Sequence, residues 1–233
     1  MSLLTIIQTA ASDLTLPQPS SVINNNDPNV KQLLAFSRRC ALDIVGDYDW
    51  QALTKEATFT TIAAETQDAL TDIASDYDRM VNQTAYNRTR KWPVFGGRSS
   101  RSRAAEKGLS VSSLRDTMAI RGGNIVMIPA PTAGDTIAFD YISNQWCQSE
   151  AGTDQSDWAA DSDVFKLDDE VLALGIICRF LRRKGFAYVE ELRDYETRLQ
   201  RAKNRDRARP PVDMSGPSMP RHHRVPEGDW NLS

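Results

Sequence analysis

The chain has 233 residues, of which 40% are hydrophobic and 25% charged, and its net charge is −3. This length suffices for one large domain or two small ones, and the mildly acidic balance argues against a general nucleic-acid-binding protein. The longest apolar run, Val171 to Cys178, is too short to cross a bilayer, so we expect no membrane partner.

The amino terminus and the cysteines both indicate a protein made in a cytoplasm. The opening "MSLLTIIQTAASDLTL" has no basic stretch ahead of an unbroken apolar core, so we expect no signal peptide. Cys40, Cys147 and Cys178 are far apart and lack CxxC spacing, which favours reduced thiols over disulfides. Because a zinc site needs four well-placed ligands, we expect neither a metal nor a cofactor.

Two helices are predicted in the first fifty residues. Apolar residues recur at helical spacing from about Ser2 to Leu14. A second helix begins at Asp27 and Pro28 and runs to about Asp47, since aspartate caps free N–H groups and proline suits a first turn.

The middle of the chain carries strand signals. "EATFTTI" is short and rich in β-branched residues, and the runs on either side of Gly122 and Gly123 predict a hairpin. "TIAFDYIS" alternates, which predicts a strand with one buried face, whereas "DYDRMVNQTAYN" is interpreted as a short helix. We therefore expect a small antiparallel sheet of at least three strands.

Two more helices are predicted near the carboxyl end. "KLDDEVLALGIICRFLRRKG" opens with acids and closes with bases, in agreement with the helix dipole, and Gly185 ends it. The next helix, from about Ala187 to Arg207, has a narrow apolar stripe and a surface on which acids and bases alternate. That surface is a candidate contact between subunits through Glu190, Arg193, Glu196, Arg198 and Arg201.

The last residues form a segment with apolar side chains but no periodicity. Five prolines and two glycines interrupt it, so no helix or strand can bury those side chains against one another. The segment is either disordered or docks into a groove of another molecule, and its candidate docking residues are Val212, Met214, Met219, Val225, Trp230 and Leu232.

These elements predict an α+β fold in which a helical bundle, formed by the N- and C-terminal helices, carries a β-rich antiparallel middle insertion and an extended C-terminal arm. The predicted domains are residues 1–54 plus 166–208 for the bundle, 55–165 for the insertion and 209–233 for the arm.

No catalytic constellation is predicted. The only histidines, His222 and His223, lie in the proline-rich segment, which cannot hold a base rigidly against a nucleophile. Acidic pairs such as Asp47 with Asp49 stand at predicted helix boundaries, where aspartate caps are common. An enzyme with an unrecognised site stays open as an alternative, and it would need convergent carboxylates in a rigid pocket.

A basic segment between residues 88 and 103 has two interpretations. It contains cations without an intervening acid, interleaved with aromatic residues, which is typical of sites that hold a phosphate backbone. Alternatively it is a solvated loop or faces an acidic neighbour in an assembly. The cations are Arg88, Arg90, Lys91, Arg98, Arg101 and Arg103.

Two stretches carry a resemblance to a known family. "LPQPSSV", "NDPNVKQLLAF" and "YDWQALTKEATF" stand in the first stretch, and "FDYISNQWCQ…W…DSDVFKLDDEVLALGIICRFLRRKGFAYVEELRDYETRLQRA" is the second. Together they cover well over half of the chain, and they resemble head-to-tail adaptor (connector) proteins of tailed bacteriophages. The stretch "GRSSRSRAAEKG" departs from the better helix former that the family would lead us to expect.

The resemblance implies a non-enzymatic virion protein at the head–tail junction. Such adaptors form a ring, typically of twelve copies, under the portal protein, and they extend the DNA channel without sequence-specific binding. The implied partners are the portal protein, the next tail component (a nozzle or tail-tube protein), other copies of the chain and the passing DNA. The family's carboxy-terminal extensions commonly dock onto the portal, which would give the arm its groove. The alternative function is nucleic-acid binding through residues 88–103.

Overall fold

The computed structural model describes residues 1–96, 101 and 117–206, and the chain divides into two units. We call the first the helical unit; it comprises Met1–Thr54 and the described residues of Asn144–Arg209. The second, the sheet unit, comprises the described residues of Lys55–Ser143. Residues 144–165 group with the helices.

Helices of the helical unit begin and end where local chemistry favours it. They are α1 (Leu3–Asp13), α2 (Pro28–Asp47), α4 (Asp169–Lys184) and α5 (Val189–Asp206), and a short 3₁₀ turn, Gln51–Leu53, follows α2; α3 (Leu70–Ile73) lies in the sheet unit. The Asp27 carboxylate accepts a hydrogen bond from the Asn29 N–H at 2.7 Å, and Asp168 caps α4 in the same way. Gly185 ends α4 with a φ of 78°, the left-handed conformation that glycine tolerates. The long predicted helices are confirmed.

Helix α4 is the central element of the helical unit because α1, α2 and α5 all pack against it. Its buried side chains lie on several sides of the helix, among them Val171, Leu172, Ile176 and Phe180. The closest approach is at Gly175, where a Cβ atom would stand 2.1 Å from the sulfur of Cys40 on α2. Only glycine lets the two helices come this close.

A three-stranded antiparallel sheet also belongs to the helical unit. Strands β10 (Cys147–Gln148), β11 (Asp154–Gln155) and β12 (Val164–Phe165) have the order β11-β10-β12. Around it Trp146 packs edge-to-face on Trp158, with ring centroids 4.9 Å apart, and on Phe165 at 6.0 Å. The connecting loop is held from inside, because the buried Asp163 carboxylate accepts the N–H groups of Ala159 and Ala160 at 2.7 and 2.8 Å.

The sheet unit contains a five-stranded sheet built around its longest strand. That sheet has the order β1-β9-β4-β5, and β3 also pairs with β9. The strands are β1 (Thr54–Thr60), β3 (Tyr77–Met80), β4 (Tyr86–Asn87), β5 (Trp92–Pro93) and β9 (Thr136–Ser143). Phe59 of β1 and Phe139 of β9 meet edge-to-face in the core of the unit, 6.3 Å apart.

A four-stranded sheet completes the sheet unit. Its order is β2-β8-β7-β6, formed by β2 (Thr66–Ala69), β6 (Phe95–Gly96), β7 (Thr117–Arg121) and β8 (Asn124–Ile128). The predicted hairpin is confirmed: β7 and β8 are antiparallel, and Gly122 and Gly123 between them adopt φ values of 57° and 82°. Strand β6 runs parallel to β7.

The predicted fold class is wrong in its architecture. In the described residues the chain is α+β with a β-rich body of three sheets, and not a helical bundle that carries one antiparallel insertion. Residues 144–165 form a sheet of their own within the helical unit, because Trp146, Trp158 and Phe165 bury one another there. The C-terminal arm, 209–233, lies outside the described residues.

Two local predictions in the middle of the chain are also wrong. The segment expected to be a short helix at residues 76–87 contributes β3 and β4, because Tyr77, Arg79 and Met80 pair with Ser143, Ile142 and Tyr141 of β9. Strand β9 is covered on more than the one predicted face: Ala138 and Ile142 of its other face are buried too, while Thr136 and Asp140 are half-buried.

We expect Gly175→Ala to destabilise the helical unit by about 3 kcal/mol, because the new methyl group must displace the Cys40 sulfur or separate α2 from α4. Denaturant unfolding followed by helical circular dichroism measures this change. Gly46→Ala is the matched control: Gly46 lies in α2 with no atom within 4 Å of the added methyl group, so that variant should gain about 0.5–1 kcal/mol. Equal effects of the two substitutions would contradict the close approach.

Candidate functional site

Helix α5 is attached to the helical unit by the charged residues of its C-terminal half. The Arg205 guanidinium lies 2.6 Å from the Asp168 carboxylate at the start of α4, and the Asp206 carboxylate accepts the Gln51 N–H at 2.9 Å. Two further ion pairs, Arg198–Glu170 and Lys203–Asp47, bind the same half of α5 to α4 and to the end of α2. These charges therefore hold α5 in place within its own chain.

Helix α5 also presents charges of both signs to solvent. Glu190, Arg193, Glu196 and Arg201 are exposed, and none of them forms an ion pair with a described residue. The fifth residue of the predicted subunit contact, Arg198, differs because it is half-buried and paired with Glu170. The predicted set thus separates into four outward side chains and one that acts within the chain.

A polar junction lies where α2, α4 and α5 meet. Arg179 of α4 pairs with Asp43 of α2, and both Arg179 and Tyr195 of α5 lie beside Cys40. Burial raises the pKa of the Cys40 thiol to about 11 and also raises the pKa of Tyr195. Both groups are consequently neutral at physiological pH and serve as hydrogen-bonding and packing groups.

The junction borders a cavity of about 300 Å³. Cys178 lines it beside Cys40, and burial raises the pKa of Cys178 to about 11 as well. A thiol with so high a pKa is a poor nucleophile, because the thiolate is the reactive form. The two thiols that line the cavity are therefore unreactive. Arg179, which also lines it, is paired with Asp43.

A groove of about 490 Å³ is a feature that the sequence interpretation missed. Leu174, Ile177 and Leu181, spaced along one side of α4, line it together with Leu14 and Phe186. Phe186 is 62% exposed and Val189, three residues later, is 73% exposed. The signal was present in "GFAYV", an apolar run directly after the glycine that ends α4, where polar loop residues are the norm.

Two described cations of the basic segment, Arg88 and Arg90, are paired within the sheet unit. Arg88 lies 2.6 Å from Glu56, and Arg90 lies 2.5 Å from the buried Asp135 and 5.3 Å from the centroid of the Trp92 ring. Lys91 also has an interaction partner. The acids that the local sequence lacked come from β1 and from the turn before β9, so these cations already neutralise charges of their own unit.

Several predicted site residues lie outside the described residues. These are Arg98 and Arg103 of the basic segment and all six docking residues of the arm, Val212, Met214, Met219, Val225, Trp230 and Leu232. Arg101 is described and exposed.

The sheet unit holds a buried carboxylate that joins three parts of its chain. Asp76 accepts hydrogen bonds at 2.7 Å from the Tyr141 hydroxyl, the Ser143 hydroxyl and the Lys55 ammonium group. Burial alone would raise the pKa of Asp76, but these hydrogen bonds outweigh burial and lower its pKa to about 2. The same contact helps to raise the pKa of Tyr141 to about 12, behind the larger effect of burial.

No family model matches the chain, and no curated protein matches it. Within residues 1–96, 101 and 117–206, no group of three or more histidine, cysteine or acidic side chains could hold a metal ion. No helix in those ranges combines the length and apolarity needed to cross a membrane.

We expect Asp76→Asn to lower the stability of the sheet unit at neutral pH by about 2 kcal/mol, the value of a carboxyl pKa held at about 2 instead of 3.8. Because the folded pKa is depressed, this contribution is present above pH 3.8 and is lost as the pH falls through about 2. Denaturant unfolding at a series of pH values measures both effects.

Asp78→Asn serves as the control, since the Asp78 carboxylate is 43% exposed and its ion pair with a described residue is with the adjacent Arg79. It should change stability by less than about 0.5 kcal/mol. An acid-side loss of stability that is as steep in Asp76→Asn as in the unaltered chain would disprove the role assigned to Asp76.

Proposed function

We propose that this protein is a head-to-tail adaptor of a tailed bacteriophage. In this role copies of the chain form a ring beneath the portal protein, extend the DNA channel and join the capsid to the tail. The protein acts by assembly and not by catalysis. Its partners are the portal, the next tail component and other copies of itself, and DNA passes without sequence-specific contacts.

Several aromatic residues in the stretches that carry the family resemblance are packing residues of the helical unit, which suits a scaffold protein. In "YDW", Tyr48 and Trp50 meet edge-to-face at 5.1 Å, and the Trp50 indole donates to the Ile44 carbonyl at 2.8 Å. In the second stretch, Trp146 and Trp158 form the aromatic cluster around β10–β12. The matching residues thus determine the shape of the unit, which is what relatives that share an assembly role must keep.

The outward side of α5 is the observation that carries the proposal. Its ion pairs to α4 and α2 attach the helix to the unit, while Glu190, Arg193, Glu196 and Arg201 present both signs of charge without ion-pair partners among the described residues. A ring needs two different surfaces on each copy that fit together. Alternating charges on a rigid helix suit this requirement, because opposite charges favour one register and like charges penalise the others.

Charge reversal on this surface tests the proposal. We expect Arg193→Glu combined with Arg201→Glu to leave helical circular dichroism and melting unchanged but to reduce incorporation into head–tail junctions by about tenfold or more. Mass spectrometry and electron microscopy of purified particles measure incorporation and the ring. Arg39→Glu, an exposed arginine of α2 in the same unit, is the control and should assemble normally.

Normal rings built from the doubly reversed chain would rule out α5 as the contact between copies. Absence of the unaltered chain from purified particles, or its presence only at the distal end of the tail, would overturn the adaptor function itself.

The arm provides an independent test. We expect truncation after Arg209 to leave a folded protein that no longer joins the portal, because Trp230, Leu232 and the other apolar residues of the arm would be the anchors in the portal groove. Co-sedimentation with portal rings measures attachment, and the full chain is the reference. Undiminished attachment of the truncated protein would exclude portal docking by the arm.

A further inference from the structure

Helix α4 has more apolar surface than its own chain covers. Helices α1, α2 and α5 pack on it, yet Leu174 and Leu181 stay half-buried and form, with the buried Ile177 between them, a strip at the bottom of the open groove of about 490 Å³. A helix that is apolar nearly all round is normally buried on every side. The groove therefore leaves Leu174 and Leu181 of a core helix only half-buried, and covering them would be favourable.

The apolar side chains that could fill such a groove project from its edge. Phe186 lines the groove and is 62% exposed, and Val189 is 73% exposed at the start of α5. We call these residues and the groove the α4–α5 corner. A two-fold contact brings the same patch of two copies together, so a projecting aromatic ring beside an apolar groove is self-complementary.

The charges around the α4–α5 corner are also self-complementary. The end of α4 carries three exposed cations in succession, Arg182, Arg183 and Lys184. The acids Asp13 and Glu191 line the groove. Two copies related by a two-fold axis can place the cations of each opposite the acids of the other, whereas a purely acidic or purely basic rim would repel itself.

We propose that the α4–α5 corner is a docking surface for a second copy of this chain, and that the free protein forms a two-fold dimer through it. Phe186 of each copy enters the groove of the other and covers the strip on α4. Aromatic side chains buried in a partner's pocket are the residues that dominate such contacts.

This dimer differs from the contact that a ring requires. A two-fold contact closes on itself and cannot propagate around a ring, so the dimer is a form of the protein outside the assembled junction. It uses the α4–α5 corner, whereas the proposed ring contact uses the outward side of α5. The dimer can therefore fail its test while the adaptor function stands, and the adaptor function can fail while the dimer stands.

Sedimentation equilibrium of the full chain over a wide range of protein concentration tests the proposal. We expect a monomer–dimer equilibrium in which Phe186→Asp raises the dissociation constant by about tenfold or more, since it places a charge in the apolar contact. Because Phe186 is largely exposed in the free chain, the variant should keep the circular dichroism and melting behaviour of the original. Reversing Arg182, Arg183 and Lys184 to glutamate should weaken the dimer as well, since like charges then face each other.

Leu42→Asp is the matched control, because Leu42 of α2 is 58% exposed in the same unit and does not line the groove. Its dissociation constant should equal that of the unaltered chain. A protein that stays monomeric at about 100 μM, a dimer indifferent to Phe186→Asp, or a dimer broken equally by Leu42→Asp would each overturn the proposal.

Discussion

The helical unit depends on the burial of α4. This helix is apolar on most of its sides, and three other helices of the unit lie against it. The packing is tightest at Gly175, where the absence of a side chain lets α2 approach until the Cys40 sulfur occupies the space of a methyl group. The Tyr195 ring of α5 lies beside the same position, so this contact brings α5 together with the other two helices.

The charges of α5 follow from its place beside α4. Asp168 and Glu170 stand at the start of α4, where negative charge is favourable, and they pair with Arg205 and Arg198. Asp47 at the end of α2 pairs with Lys203. Four charged residues of α5 that form no ion pair with a described residue are exposed to solvent: Glu190, Arg193, Glu196 and Arg201. An outer helix that is ion-paired to its own unit and also carries exposed charges is suited to assembly. This arrangement is why we propose α5 as the contact between copies.

The sheet unit depends on a different constraint, the burial of polar groups with their partners. Asp76 binds Lys55, Tyr141 and Ser143 at once, and Arg90 neutralises the buried Asp135. A buried carboxylate without such partners would cost several kcal/mol. The basic segment therefore has a structural role in its described part, and its arginines contribute to the unit before any contact with another molecule.

The amino-acid sequence alone determined the features that depend on neighbouring residues. Asp27, Asp168 and Gly185 set helix ends through hydrogen bonds and backbone conformations that span a few residues, and Gly122 with Gly123 set a hairpin in the same way. The exposed charges of α5 were also readable from helical spacing. Only the tertiary structure decided that residues 77–80 form a strand, that Ala138 and Ile142 of β9 are buried, and that residues 144–165 form a sheet. It likewise decided which cations were already paired, because Glu56, Asp135 and Glu170 are distant in sequence from the arginines they bind. Pairing across such separations is set by packing of the whole unit, and no local pattern records it.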